Sequence, residues 1–186
     1  MNVFYEELPD SVVVSGKSYK IITDFREWIK FSDMIKSDIP NEFKYEFISE
    51  MFLEEINLSN VLDEVLESFV CFLSMTEIEI PKQNSGKGKK QKNIISLEYD
   101  APYIISSFKE YYDIDLLNVK YMHWWKFKML LNGLPEESSI KKRMYYRDVD
   151  LGDIKDKYEK KRIMKIKKAI DLPENELTDG DIGNAF

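Results

Sequence analysis

The sequence predicts a mainly α fold, a small N-terminal β-hairpin followed by a multi-helix bundle. Apolar residues recur at three- and four-residue spacing along most of the 186-residue chain, as helices with one buried face require. Only near the N-terminus do short β-branched runs flank a glycine, the pattern of a hairpin. Asp24, Pro40, Asp100, Gly133 and Pro135 then divide the periodic stretches into segments of ordinary helical length.

Val12–Val14 and Tyr19–Ile22 are the expected arms of the hairpin, around a turn at Gly16. The "SGKS" at this turn has the look of a phosphate loop. It lacks the first glycine of GxxxxGKS/T and leads into a strand rather than a helix, so phosphate binding is not expected there. Asp24 opens a helix with Glu27 three residues on, a capping-box arrangement with Asp in place of Ser or Thr. Phe25, Trp28, Ile29, Ser32 and Ile35 share one face of it, and Pro40 ends it. In "NEFKYEFISEMFLEEI", Phe43, Phe47 and Met51 form an i, i+4, i+8 row. In "NVLDEVLESFVCFLSM", Leu62, Leu66, Phe69 and Leu73 make one stripe with Val61, Val65 and Phe72 beside it, and so broad an apolar face predicts a central helix. Cys71, inside that segment, reads as a small buried hydrophobe rather than a reactive thiol.

"PKQNSGKGKKQK" is a low-complexity run of Gly, Ser and Lys that cannot bury enough apolar area to offset ordering entropy, and a mobile loop is expected over residues 82–92. Helices resume with Asp100 as a cap before "APYIISSFKEYY", and Asp115 is the expected cap of the helix carrying "MHWWKF", which Gly133 and Pro135 end. Two basic helical stretches follow, "SIKKRMYYRD" and "DIKDKYEKKRIMKIKKAI", the second with Tyr158, Ile163, Ile166 and Ile170 as a thin apolar seam. Residues 1–172 thus read as one helical domain with an N-terminal hairpin, and residues 173–186 as a flexible acidic tail.

Composition narrows the function classes. Hydrophobic residues at 44% and aromatics at 13% are too many for a disordered chain. No run approaches the roughly 20 apolar residues of a membrane span, and the acidic start "MNVFYEELPD" is unlike a signal peptide. One cysteine excludes an intrachain disulfide and a Cys-rich metal site. The net charge of −7 is unevenly placed: residues 1–80 hold 6 basic and 17 acidic residues, residues 140–170 hold 12 basic and 5 acidic. Such a split favours self-association or a charged protein partner over nucleic acid. The expectation is a cytoplasmic protein with no membrane and no nucleic-acid partner.

"MHWWKF" places the only histidine beside two of the three tryptophans. On the helix expected after Asp115, Leu116, Val119, His123, Phe127, Leu130 and Leu134 share one face, with Trp124 and Leu131 at its edge. A histidine in an apolar stripe, with no GxSxG, HExxH or second histidine in the chain, is expected to pack rather than to catalyse. Met122, Trp125 and Met129 fall nearly opposite at i, i+3 and i+7. They are either the second buried face of a central helix or an adaptable apolar surface for a partner, and they are the candidate partner-binding residues. No catalytic residue, metal ligand or cofactor site is expected.

"YKIITDFREWIKF", "ISLEYDAPYIISSFKEYYDIDL", "MHWWKFKMLLNGL" and "MYYRDVDL" occur in the order found in the bacteriophage gp-fifteen-type family, and the chain resembles that family over roughly residues 8 to 172. Its members are encoded in the tail gene region of long-tailed phages and prophages of Gram-positive bacteria. The resemblance implies a tail assembly protein acting in the host cytoplasm, similar to chaperones that coat the tape measure protein before the tube polymerises. It also leaves open a structural tail completion or adaptor component of the virion. The implied partners are the tape measure protein or other tail proteins, with self-association along them. The resemblance supplies no catalytic residue.

Overall fold

A computed structural model describes residues 1–78 and 94–172. The Lys-rich stretch 82–92 and the acidic tail 173–186 lie outside the described residues. Within 1–172, the described residues form two compact units, one from residues 1–78 and 121–128, the other from 94–120 and 129–172.

The first unit begins with the hairpin. β1 (Ser11–Val14) and β2 (Lys17–Lys20) pair antiparallel, Val12 opposite Tyr19 and Val14 opposite Lys17. Both turn residues, Ser15 and Gly16, have positive φ, the condition of a primed two-residue turn whose twist matches the strands. The Glu64 carboxylate helps to hold Ser15 in that conformation, accepting from its backbone N–H at 2.6 Å and its hydroxyl at 2.9 Å. Beyond β2, the N–H of Ile22 donates to Met51 O and that of Leu53 to Lys20 O, tying the hairpin to the chain that follows the second helix.

α1 (Phe25–Lys36) starts at Asp24, whose carboxylate accepts from the Arg26 N–H at 3.0 Å. The reciprocal arm of a capping box is not made, because Glu27 takes the Lys30 ammonium at 2.8 Å instead. α2 (Asn41–Glu50) buries Ile48, and the chain just after it buries Met51 and Phe52. The expected row of Phe43, Phe47 and Met51 is therefore interred only at its far end, and Phe43 is 59% exposed, since burial follows the backbone pairing at Met51 and not the helix start. A short 3-10 turn (Leu58–Asn60) leads into α3 (Leu62–Ser74), which buries Val65, Leu66, Phe69, Phe72 and Leu73. Cys71 is exposed, contrary to expectation: two positions after Phe69 puts it about 200° around the helix, on the solvent side.

In the second unit α4 (Ala101–Tyr112) and α7 (Lys157–Ile170) both pack on α6 (Ser139–Asp148). Ser138 and Asp156 cap α6 and α7 by accepting backbone N–H groups of Lys141 and Glu159. Ile163 is buried, whereas Tyr158, expected in the same seam, is 86% exposed. α5 runs from Trp124 to Asn132, its first turn in the first unit and its end in the second. It does not start at Asp115, as expected. The Asp115 carboxylate accepts from the Leu117 N–H and the Asn118 amide, which closes a local turn, and the helix opens nine residues later. α5 stops at Gly133, where a Cβ would come within 3.3 Å of the Tyr112 hydroxyl, which donates to Leu130 O at 2.9 Å.

Candidate functional site

The "MHWWKF" segment lies in the first unit, and its histidine and both tryptophans make structural hydrogen bonds. His123 immediately precedes α5 and is 8% exposed. Its Nδ1 accepts the Trp125 backbone N–H at 3.0 Å, so the proton resides on Nε2, which donates to Pro9 O at 3.0 Å. The ring thus caps its own helix and pins the segment that enters β1. Burial pushes the imidazole below its ordinary pKa, against the smaller opposing effects of the Pro9 carbonyl and the Asp10 carboxylate, and the neutral form is favoured.

Asp24 stands opposite His123 in an isolated antiparallel bridge. The N–H of Phe25, the first residue of α1, donates to Met122 O at 2.9 Å, and that of Trp124, the first of α5, donates to Thr23 O at 2.7 Å. Asp24 also accepts from the Met122 N–H at 3.2 Å. Two helices nearly a hundred residues apart in sequence therefore satisfy each other's first orphan donors, while Asp24 and His123 each satisfy a second.

The tryptophans act at a third helix end. The indole of Trp125 donates to Phe72 O at 2.8 Å, that of Trp124 to Leu73 O at 3.1 Å, and the Lys128 ammonium to Leu73 O at 2.9 Å. These are carbonyls of the last turn of α3, which a helix leaves unsatisfied and where a cation is favoured. Met75, just past α3, adopts the left-handed conformation that closes the helix. Around these bonds lies a nest of rings. Trp28 lies 4.5 Å from Phe72 and 5.2 Å from Phe69, Phe72 lies 5.6 Å from Trp125, and Phe25 stacks on Phe127 at 4.8 Å.

Of the three candidate partner-binding residues, Met122, Trp125 and Met129, the structure buries the first two. Trp125 is 0% and Met122 4% exposed, and Met122 lies before the helix, so it shares no helical face with Trp125. Met129 is half-buried on the later part of α5. The three form no exposed surface in the free chain.

The second unit holds a centre that the sequence reading missed. Asp100 and Arg147 are 0% and 1% exposed. Arg147 grips Asp100 with both terminal nitrogens, Nη2 to Oδ1 at 2.9 Å and Nη1 to Oδ2, and also donates to Ile94 O at 3.0 Å and Ile170 O at 2.7 Å. Arg143 adds a bond to Asp100 Oδ1 at 2.9 Å, and its guanidinium lies over the Tyr103 ring. The Ser96 N–H donates to Oδ2 at 3.0 Å. Burial alone would raise the Asp100 carboxyl, but the hydrogen bonds from Arg147, the Ser96 backbone and Arg143 outweigh it and hold it below the usual range. Asp100 was expected to cap α4; its side chain makes no capping bond because the arginines occupy it. A signal was present in the sequence: Ile140, Arg143 and Arg147 recur at i, i+3 and i+7, placing two arginines on the buried face of α6.

Among the described residues, no group of three or more His, Cys, Asp or Glu side chains is arranged to hold a metal ion, and every buried side-chain nitrogen or oxygen has a hydrogen-bond partner. No described helix is long and apolar enough to cross a membrane. The Gly16–Lys17 turn runs straight into β2, with no helix N-terminus to receive a phosphate.

No curated protein and no solved structure matches the chain. A family profile described as Bacteriophage Gp15 protein matches residues 4–172, which include both the tryptophan-capped helix end of the first unit and the buried Asp100–Arg147 pair of the second. The chain belongs to the Bacteriophage Gp15 protein family.

Proposed function

We propose that the protein is a non-enzymatic phage tail assembly factor that holds the tape measure protein, a long helical chain, in a soluble state in the host cytoplasm before the tube forms. Membership of a phage protein family over residues 4–172 supports a role in phage morphogenesis. A non-enzymatic reading is supported by His123. With Nδ1 accepting from Trp125 and Nε2 donating to Pro9, the ring has no nitrogen left to move a proton without unmaking a helix cap. A chaperone holds its client on exposed apolar surface, and this chain carries exposed apolar side chains, among them Phe4, Phe43, Leu53 and Leu117.

The test is co-expression with the tape measure protein of the phage or prophage that encodes this chain. The chaperone reading expects the tape measure protein to remain in the soluble fraction and to co-purify, and expects this protein to be absent from purified virions by mass spectrometry. Its presence there in fixed stoichiometry would replace the chaperone reading with that of a structural tail component.

A further inference from the structure

We propose that copies of this chain associate head to tail, the basic face of α7 of one copy lying in an acidic groove beside α2 of the next. The groove, about 1070 Å³ and open to solvent, is lined by Glu46, Glu50, Glu54 and Glu55 together with Phe52 and Leu53, and no basic side chain lines it. Its apolar floor is accessible, since Leu53 is 65% exposed. Phe43 extends it along α2, three residues before Glu46 and seven before Glu50 on the same face. Glu46, Glu50 and Glu55 form no ion pair among the described residues.

α7 is the complement. Ile163 points inward, and the opposite face presents Lys157, Lys161, Lys165 and Lys168, all exposed and none in an ion pair among the described residues. Tyr158 and Met164 stand out among these lysines, both exposed. An amphipathic helix with basic and apolar side chains on one exposed face fits a groove with carboxylates on its rim and Leu53 and Phe43 for anchors. Rim charges would set orientation and on-rate, and the apolar contacts would supply affinity. The two surfaces differ, so the contact is heterologous and propagates into open chains or rings rather than stopping at a symmetric pair. This association does not depend on the tail assembly reading, and its test needs no phage partner.

The full chain is examined by sedimentation velocity over a concentration series, at about 0.1 M and about 1 M NaCl, where the Debye length falls from ~10 Å to ~3 Å. The expectation is concentration-dependent species larger than a monomer at low salt and monomer at high salt. Two charge-reversed variants follow: Glu46→Lys with Glu50→Lys in the groove, and Lys161→Glu with Lys165→Glu on α7. All four positions are exposed, and circular dichroism and melting temperature verify the fold. Each variant alone is expected to associate at least about tenfold more weakly, while an equimolar mixture of the two associates again, because each supplies the surface the other now complements. The chain carrying all four reversals is expected to self-associate as wild type does. A wild-type chain monomeric at every concentration overturns the proposal, as does association untouched by either reversal. A monomer that compacts at low salt only when both native surfaces are present would place α7 in its own groove, and this too overturns the proposed second copy. If the variants fail to fold, Glu46→Gln with Glu50→Gln keeps side-chain size and must still weaken association.

Discussion

The two units solve the problem of a small core in opposite ways. The first brings Trp28, Phe69, Phe72 and Trp125 together and gives buried polar atoms, the indole N–H groups of Trp124 and Trp125 and a neutral imidazole, to the ends of helices. The second buries a full charge, Asp100, and surrounds it with Arg147, Arg143 and the Ser96 N–H. Neutral donors at helix ends each contribute about 1 kcal/mol and tolerate partial loss. A buried ion pair contributes little net stability when intact but costs several kcal/mol when one partner is removed. The first unit should therefore weaken by degrees and the second abruptly.

The largest effect is expected from Arg147→Leu, which leaves Asp100 buried with only Arg143 and Ser96 and frees the carbonyls of Ile94 and Ile170. A loss of about 3–5 kcal/mol in urea unfolding is predicted. Asp100→Leu combined with Arg147→Leu should recover part of that loss, since no lone buried charge remains; a double variant no better than the single would show that the carbonyl bonds of Arg147 dominate. Trp125→Ala should cost about 3–5 kcal/mol through the cavity it leaves. Trp125→Phe should cost only about 1–2 kcal/mol, mainly the bond to Phe72 O, and equal costs for the two would refute the graded behaviour assigned to the first unit.

His123→Gln should cost about 1–3 kcal/mol and, more tellingly, should flatten a pH dependence. The imidazole is held below its ordinary value near 6.5. Above that value both folded and unfolded chains carry it neutral and its contribution is complete. As pH falls below about 6.5 the unfolded chain takes up the proton first, and stability is lost progressively until the folded pKa is reached. The Asp100 carboxyl is also lowered, which for an acid means a contribution present above about 3.9 and lost as pH falls further. Hydrogen exchange followed from pH 7.5 down to 3 should thus show the Trp125 amide losing protection before the Ser96 amide. The reverse order would overturn the assignment. The smallest effect belongs to Cys71→Ser, which on an exposed helix face should stay within about 0.5 kcal/mol and leave both units unchanged.

What was legible in the sequence is what depends on local pattern. The hairpin, α1, α3, α6 and α7 announce themselves through periodicity and caps, because their buried faces repeat at short range. The start of α5 was hidden, since apolar residues recur at helical spacing from Leu116 to Leu134 and only the distant Thr23–Asp24 segment decides where the helix opens. The same blindness to distance hid the side-chain role of Asp100 at the start of α4 and that of Arg147: each is explained by the other, 47 residues away. Trp125 read as a core residue or as an anchor for a partner, because a side chain buried in its own fold and one awaiting burial have the same composition.

The first unit is also discontinuous in the chain, with Tyr121–Lys128 inserted among residues made much earlier. On the ribosome, α3 emerges with the Leu73 carbonyl lacking its indole and ammonium donors, and α1 with the Phe25 N–H lacking its Met122 partner. Roughly fifty further residues must be synthesised before Trp124 and Trp125 arrive, which at about 5–20 residues per second leaves the nascent aromatic nest open for roughly 3–10 s. During that interval Trp28, Phe69 and Phe72 face solvent without Trp125 to cover them, so the yield of folded protein should depend on translation speed across residues 79–128 more than anywhere else in the gene.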